Sequence, residues 1–201
     1  MNKAIFLDRD GVINKLIYHQ EQGIIDSPFL VSQLEIIQNV PQAIRMFRQS
    51  GYKIIIVSNQ PAIAKKQMSE KTFEAIRLHL LNELVKENAS IDADYYCLHH
   101  PEAIVPDLKQ VCECRKPNPG LIFKAAREFN IDLKSSWMIG DGLTDIQAGK
   151  SAGCCTILIG KQKCELCRYM EEHSVKPDYI CPNLLQAVSV VKNTLELNSI
   201  I

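Results

Sequence analysis

The sequence lacks an excess of charge of either sign. Its 201 residues include 23 Lys+Arg and 23 Asp+Glu, so its electrostatics do not favour a nucleic-acid partner. It has no apolar run near the roughly 20 residues that a membrane-spanning helix needs. Because the first strand is predicted to begin at Ala4, we expect no signal peptide. Internal repeats, low-complexity segments and linkers are also missing. We therefore expect a soluble, cytoplasmic monomer with a single domain over residues 1–201 and with no membrane partner.

Short apolar runs alternate with amphipathic segments along the chain, which predicts strands separated by helices. The predicted strands are Ala4–Leu7, Tyr52–Val57, Ala93–Tyr96, Trp137–Ile139 and Thr156–Ile159. The predicted helices run from Pro41 to about Ser50, from Ser69 onwards, and over Leu121–Phe129, Asp145–Ala152 and Leu184–Leu195. This alternation predicts an α/β fold with a doubly wound, mostly parallel sheet flanked by helices. We expect a loop over Asn14–Gln33, too short for a cap domain, and hence an open site.

Two carboxylates follow the first predicted strand directly. Asp8 and Asp10 are two residues apart, and Gly11 then allows a sharp turn. Open α/β sheets bind ligands at the carboxyl ends of their strands. Asp8 and Asp10 could therefore share a Mg²⁺ ion and a phosphate, although Asp and Gly are also ordinary turn residues.

Polar residues also close the second and fourth predicted strands, at the same sheet edge. Ser58, Asn59 and Gln60 offer a hydroxyl and amides, which together with turn N–H groups can hold phosphate oxygens. Asp141 ends the fourth strand and should lie near the first carboxylate pair. Asp145 falls in the first turn of a helix, where it either supports the site or simply complements the helix dipole.

Eight cysteines in such a chain indicate metal ligands or reduced core thiols rather than disulfides. Cys97 with His99, and Cys112 with Cys114, form two close pairs that suit a structural, tetrahedral Zn²⁺ with no open position. We predict a zinc-binding loop over residues 97–115, inserted after the third strand. His100 is the competing imidazole, but the Cys-x-His spacing favours His99.

Other cysteines carry less information. Cys164 and Cys167 have the spacing of a metal or redox pair, yet no second pair of similar quality accompanies them. Cys154 and Cys155 are predicted to be core residues at the start of a strand.

A cation pair follows the last predicted zinc ligand immediately. Arg115 presents a planar fork that suits phosphate, and Lys116 adds a point charge. Because the metal loop would hold this pair in place, we interpret it as part of the site rather than as a solvated pair.

Together these residues resemble the haloacid dehalogenase superfamily of phosphatases, over about Met1 to Thr156. The matching positions are Asp8 and Asp10 in the first motif, Ser58 in the second, Lys116 in the third, and Asp141 with Asp145 in the fourth. The Cys-x-His and Cys-x-Cys pairs are similar to those of the subgroup of heptose-bisphosphate and histidinol-phosphate phosphatases. The resemblance implies a Rossmann-like core, a Mg²⁺ site, and a zinc loop in place of a large cap.

The resemblance also implies a role for each matching residue. Asp8 would attack phosphorus and form an aspartyl-phosphate, while Asp10 would act as general acid and then as general base. The implied Mg²⁺ ligands are the Asp8 and Asp141 carboxylates and the Asp10 backbone carbonyl. Ser58 and Lys116 would stabilise the transferring phosphoryl group. Asn59 and Arg115 would hold the substrate, which is expected to be a small phosphorylated sugar such as heptose 1,7-bisphosphate.

Two departures from the heptose-bisphosphatase pattern bear on the substrate. Gly142 stands where that pattern usually carries a lysine, and the segment Ala62–Lys66 replaces its Gly-Ile-Ala-Arg-Gly. Three alternatives to the sugar phosphatase are therefore kept: a histidinol-phosphate phosphatase, a 3′-phosphatase on nucleic-acid ends, and a non-catalytic, zinc-stabilised binding protein.

Overall fold

The computed structural model describes residues 1–160 and 174–198. The strands are β1 (Lys3–Leu7), β2 (Ile17–His19), β3 (Ile24–Asp26), β4 (Tyr52–Asn59), β5 (Ala93–Cys97), β6 (Trp137–Gly140), β7 (Cys155–Ile159) and β8 (Tyr179–Cys181). The α-helices are α1 (Val40–Gln49), α2 (Glu70–Lys86), α3 (Gly120–Phe129), α4 (Leu143–Ala152) and α5 (Leu184–Asn198). Within the described ranges, no helix is long and apolar enough to cross a membrane.

Six strands form one sheet in the order β5-β4-β1-β6-β7-β8, and every neighbouring pair is parallel. The chain moves outward from β1 through β4 to β5, then continues on the other side of β1 with β6, β7 and β8. The order therefore reverses beside β1, and ligands of open α/β sheets bind at such a reversal. This topology confirms the predicted doubly wound, parallel α/β fold.

Successive side chains of the central strands point to opposite faces of the sheet, so the hydrophobic core lies on both faces. In β1, Ile5 and Leu7 pack on the face covered by α1, α2 and α5, whereas Ala4 and Phe6 pack on the face covered by α3 and α4. All four side chains are completely buried. A strand buried on both sides reads as a continuous apolar run, which explains why the sequence identified the central strands readily.

The structure corrects two predictions made from the sequence. The segment Asn14–Gln33 is not only a loop, because β2 and β3 pair as an antiparallel hairpin within it. The main sheet also has a sixth strand, β8, of three residues, which is too short to give a periodic signal. Both elements are short and partly exposed, so tertiary contacts rather than apolar periodicity determine them.

Candidate active site and metal centre

Three carboxylates meet at the edge of the sheet where the strand order reverses. Asp8 and Asp141 follow the neighbouring strands β1 and β6, and Asp145 lies in the first turn of α4. One carboxylate oxygen from each lies within 4.8 Å of the others. The trio therefore forms a compact cluster of oxygen ligands.

Two glycines make this cluster possible. A Cβ atom on Gly11 would lie 2.1 Å from Oδ2 of Asp141, and one on Gly140 would lie 2.2 Å from Cβ of Asp145. Gly11 also has a φ of 76°, which side chains rarely adopt. The carboxylates thus occupy the space that side chains at these two positions would take.

Lys116 is the cation that accompanies the cluster. It is buried, and its Nζ lies 2.8 Å from Oδ1 of Asp8 and 2.5 Å from Oδ1 of Asp145. The same Nζ donates to the carbonyl oxygen of Val57 at 2.9 Å. Although burial opposes its charge, Asp145 and Asp8 raise the pKa of Lys116 above its ordinary value, so it is a cation.

One lysine does not neutralise three carboxylates, and the pKa values of Asp141 and Asp145 show the consequence. Burial, together with the charges of Asp8 and Asp145, raises the pKa of Asp141 to about 7. Burial also raises the pKa of Asp145 to about 6, against the opposing effect of Lys116. Clustered, partly buried carboxylate oxygens with excess negative charge are a donor set that fits Mg²⁺.

The Asp10 side chain lies outside this cluster of ligands. It accepts hydrogen bonds from Nδ2 of Asn14 at 2.9 Å, from Nε2 of Gln60, and from the guanidinium of Arg9 at 3.1–3.3 Å. Arg9 is completely buried. The sequence places Gln60 at this sheet edge but does not predict its contact with Asp10. The sequence interpretation missed Arg9, although its position between two site carboxylates is a signal that could have identified it.

Ser58 and Asn59 end β4 as expected, and the Asn59 amide is already engaged with the backbone of Lys116. Ser58 is buried, and its Oγ accepts a hydrogen bond from Nε2 of Gln60 at 3.2 Å. The Asn59 amide accepts from the backbone N–H of Lys116 and donates to its carbonyl, both at 3.0 Å. The Asn59 amide thus positions the backbone of Lys116, and the substrate contact expected for Asn59 stays a prediction.

The second cluster consists of three thiols and one imidazole. The Sγ atoms of Cys97, Cys112 and Cys114 lie 3.1–3.5 Å apart, and Nδ1 of His99 lies 3.3–3.8 Å from them. A disulfide needs about 2.0 Å between sulfurs, whereas tetrahedral ligands about 2.3 Å from Zn²⁺ lie roughly 3.8 Å apart. The donor set and its spacing fit a closed metal site.

The neighbouring residues tie this metal loop to the rest of the site. Nη1 of Arg115 donates to the carbonyl oxygen of His99 at 3.2 Å, and Nδ2 of Asn118 donates to that of Cys112 at 2.9 Å. His100 is turned elsewhere, because its Nδ1 accepts from the backbone of Glu102 at 3.1 Å. The structure therefore places His99, and not His100, with the three cysteines.

The other described cysteines belong to neither cluster. Cys154 and Cys181 are buried in the core, and Cys155 begins β7. The prediction for Cys164 and Cys167 lies outside the described residues.

Comparison with known proteins agrees with this geometry. A family model described as HAD-hydrolase-like, for haloacid dehalogenase, matches residues 113–187. A D-glycero-beta-D-manno-heptose-1,7-bisphosphate 7-phosphatase of Salmonella typhi is 37% identical over 149 residues, which cover 74% of this chain and 75% of that protein. A D-glycero-alpha-D-manno-heptose-1,7-bisphosphate 7-phosphatase of Photorhabdus laumondii is 38% identical over 151 residues, which cover 75% of this chain and 78% of that protein.

Solved structures show the same likeness. A D,D-heptose 1,7-bisphosphate phosphatase from B. bronchiseptica, complexed with magnesium and phosphate, superimposes with a TM-score of 0.75 at 27% identity. The match covers 96% of this chain and 98% of that one. A HAD-like phosphatase from Mesorhizobium loti has a TM-score of 0.76 at 26% identity, covering 94% of this chain and 87% of that one.

The fold and the carboxylate–lysine cluster define a hydrolase of the haloacid dehalogenase class. Within that class, the chain belongs to the family of the heptose-1,7-bisphosphate 7-phosphatases, and it is a phosphatase. The resemblance found in the sequence is thus confirmed.

Proposed function

We propose that this protein hydrolyses the 7-phosphate of D-glycero-D-manno-heptose 1,7-bisphosphate. The observation that supports this proposal is the pair of ion pairs that Lys116 makes with Asp8 and Asp145, beside Asp141. The relatives of this chain are named for that activity. The relatives do not favour histidinol phosphate as the substrate. Since they include enzymes named for either anomer, the anomeric preference is part of the test.

In the proposed first step, an oxygen of Asp8 attacks phosphorus while the bond from phosphorus to the sugar oxygen breaks. The leaving oxygen takes a proton from Asp10, and an aspartyl-phosphate remains on Asp8. In the second step, Asp10 takes a proton from water as that water attacks phosphorus, and the Asp8 carboxylate and inorganic phosphate are released. General acid–base help of this kind contributes about 10²–10⁴-fold to the rate.

Lys116 and Ser58 support both steps. The Lys116 ammonium lies at hydrogen-bond distance from the proposed nucleophile, where it orients Asp8 and neutralises charge on the phosphoryl oxygens. Ser58 is the proposed hydroxyl donor to those oxygens. Arg115, held against the metal loop, is the proposed contact for the substrate.

Two metal ions are proposed to complete the site. Asp8, Asp141 and the backbone carbonyl of Asp10 would hold Mg²⁺, which when bound offsets the repulsion between the nucleophile and the phosphate. Cys97, His99, Cys112 and Cys114 would hold a structural Zn²⁺ that orders the segment leading to Arg115 and Lys116.

Phosphate release with Mg²⁺ across a panel of substrates tests the proposal. The panel contains both anomers of heptose 1,7-bisphosphate, fructose 1,6-bisphosphate, histidinol phosphate and a 3′-phosphorylated oligonucleotide, with Asp8→Asn as the blank. We expect one heptose bisphosphate anomer to exceed the other compounds by about a hundredfold or more in kcat/KM, which is about 2.7 kcal/mol. Preference for another compound would refute the substrate, and activity equal to the blank would refute the enzyme.

We also propose that the enzyme acts as a monomer, since a single copy of the chain can bring all the proposed catalytic residues together, and that it acts in the cytoplasm. Light scattering during gel filtration would check the monomer, and a dimer mass at working concentration would contradict it.

A further inference from the structure

The proposed acid–base residue, Asp10, is held by a buried network of side chains. Arg9 donates through both Nε and Nη2 to the Asp10 carboxylate at 3.1–3.3 Å. Nη2 of Arg9 also donates to Oε1 of Gln60 at 2.8 Å. Since Arg9 is completely buried, it acts on the reaction only through the groups that it touches.

Gln60 extends this network to the phosphate-binding side of the site. It is buried, and its Nε2 donates both to Oδ2 of Asp10 and to Oγ of Ser58. Its backbone N–H donates to the carbonyl oxygen of Cys97 at 2.8 Å, which anchors it to the end of β5. One amide therefore links the proposed proton-transfer group to the proposed phosphate ligand.

The orientation of Asp10 is overdetermined by these contacts. Oδ1 accepts from Asn14 and Arg9, and Oδ2 accepts from Gln60 and Arg9. With donors on both oxygens, the carboxylate cannot rotate without breaking several buried hydrogen bonds. Proton transfer depends on such orientation, because the group must meet the leaving oxygen within hydrogen-bond reach.

Stability alone does not explain a guanidinium at this position. Nη1 of Arg9 is buried without a hydrogen-bond partner among the described residues, and an unpaired buried donor costs free energy. Well-packed apolar replacements of buried ion pairs are often neutral or stabilising. This cost in folding free energy indicates that Arg9 has a role in the site beyond stability.

We infer that Arg9 and Gln60 are positioning residues, which hold the Asp10 carboxyl in line with the leaving oxygen of the substrate. The inference rests on the proposed function, in which Asp10 gives a proton to that oxygen as its bond to phosphorus breaks. Both residues are buried, so we expect their loss to act through Asp10, impairing proton transfer more than phosphate binding.

The dependence of the rate on the leaving group separates this role from a general structural one. An alkoxide leaves poorly without a proton, whereas p-nitrophenolate is a stable anion that needs none. The kcat/KM value reports the steps up to the first irreversible one, which is transfer of the phosphoryl group to Asp8. A residue that positions the acid should therefore affect kcat/KM for a sugar phosphate far more than for p-nitrophenyl phosphate.

The variants are Arg9→Met, Arg9→Lys and Gln60→Met, with Asp10→Asn as the reference and Tyr96→Phe as the matched control. The ring of Tyr96 lies 6.0 Å from Cζ of Arg9, so its variant perturbs the same buried neighbourhood. We expect Gln60→Met and Arg9→Met to lose about a hundredfold in kcat/KM on the sugar phosphate and less than about threefold on p-nitrophenyl phosphate. Arg9→Lys should recover part of the loss, and Tyr96→Phe should retain both activities.

Thermal melts establish that each variant is folded, and Gln60→Met carries the test if the Arg9 variants do not fold. Equal losses on both substrates, or no loss on either, in folded Gln60→Met would overturn the inference. If Asp10→Asn itself shows no difference between the two leaving groups, the acid–base role in the proposed function fails, and the inference fails with it. The Asp10→Asn reference thus distinguishes the two failures.

Discussion

Mg²⁺ binding should weaken about tenfold when the pH falls from about 8 to about 6, because Asp141 then takes up a proton. Burial and the neighbouring carboxylates raise the pKa of Asp141 to about 7. Its ionised fraction is then about 0.9 at pH 8 and about 0.1 at pH 6. A tenfold change in the apparent binding constant corresponds to about 1.4 kcal/mol.

Calorimetric titration with Mg²⁺, in buffers that differ in their heat of ionisation, measures the affinity for Mg²⁺ and the number of protons released on binding in one experiment. Binding at pH 6 should release about one proton for each ion bound, and binding at pH 8 about 0.1 proton. Asp145, with a pKa of about 6, would give only about a twofold change in affinity over the same range. The magnitude therefore identifies the group that titrates.

Two variants serve as the matched pair for this experiment. Asp141→Asn should bind Mg²⁺ weakly and with little dependence on pH, whereas Asp145→Asn should keep most of the tenfold dependence. An affinity that is the same at pH 6 and pH 8, with no proton released, would refute the argument that the crowded carboxylates hold a proton until the cation replaces it.

Three further predictions concern stability. Without Mg²⁺, the free energy of unfolding should fall as the pH rises from about 4 to about 7, because folded Asp141 keeps its proton above the unfolded pKa of about 3.9. Melting temperatures with and without Mg²⁺ should therefore differ most above pH 7. A difference that is the same at every pH would contradict this prediction. Cys112→Ser should lower both bound zinc, measured by elemental analysis, and the melting temperature, whereas Cys155→Ser should retain the zinc; unchanged zinc in Cys112→Ser would disprove the four-ligand site. Gly11→Ala should destabilise the fold by about 1–3 kcal/mol in denaturant unfolding and weaken Mg²⁺ binding, since its Cβ would meet Asp141. Gly23→Ala has a similar φ but open space around it, so a loss as large as that of Gly11→Ala would show that backbone strain alone is responsible.

Residues at the ends of strands were predictable because their positions follow from local patterns. The apolar runs that precede Asp8, Ser58 and Asp141 mark central strands buried on both faces, and the ends of parallel strands share one sheet edge. The Cys-x-His and Cys-x-Cys pairs were equally clear, since the chemistry of the side chains and their spacing carry the signal.

Contacts between distant segments could not be predicted in this way. The pairing of Arg9 with Gln60 joins residues 51 positions apart, and the Asn59 amide meets the Lys116 backbone across 57 positions. No periodicity in the chain encodes either contact. Each exists because β1, β4 and the segment after the metal loop converge at one edge of the sheet.

The amino-acid sequence by itself determined the class of the fold, the family, and the residue types from which both clusters are built, because these depend on apolar periodicity and on motifs whose members lie close along the chain. Only the tertiary structure decided which side chains could hold the same metal ion, which of them have raised pKa values, and which position others by hydrogen bonds. Asp145 forms an ion pair with Lys116, Asp10 accepts hydrogen bonds from Arg9, and the Asn59 amide bonds to the Lys116 backbone. These contacts depend on burial and hydrogen-bond geometry, which only the folded chain creates.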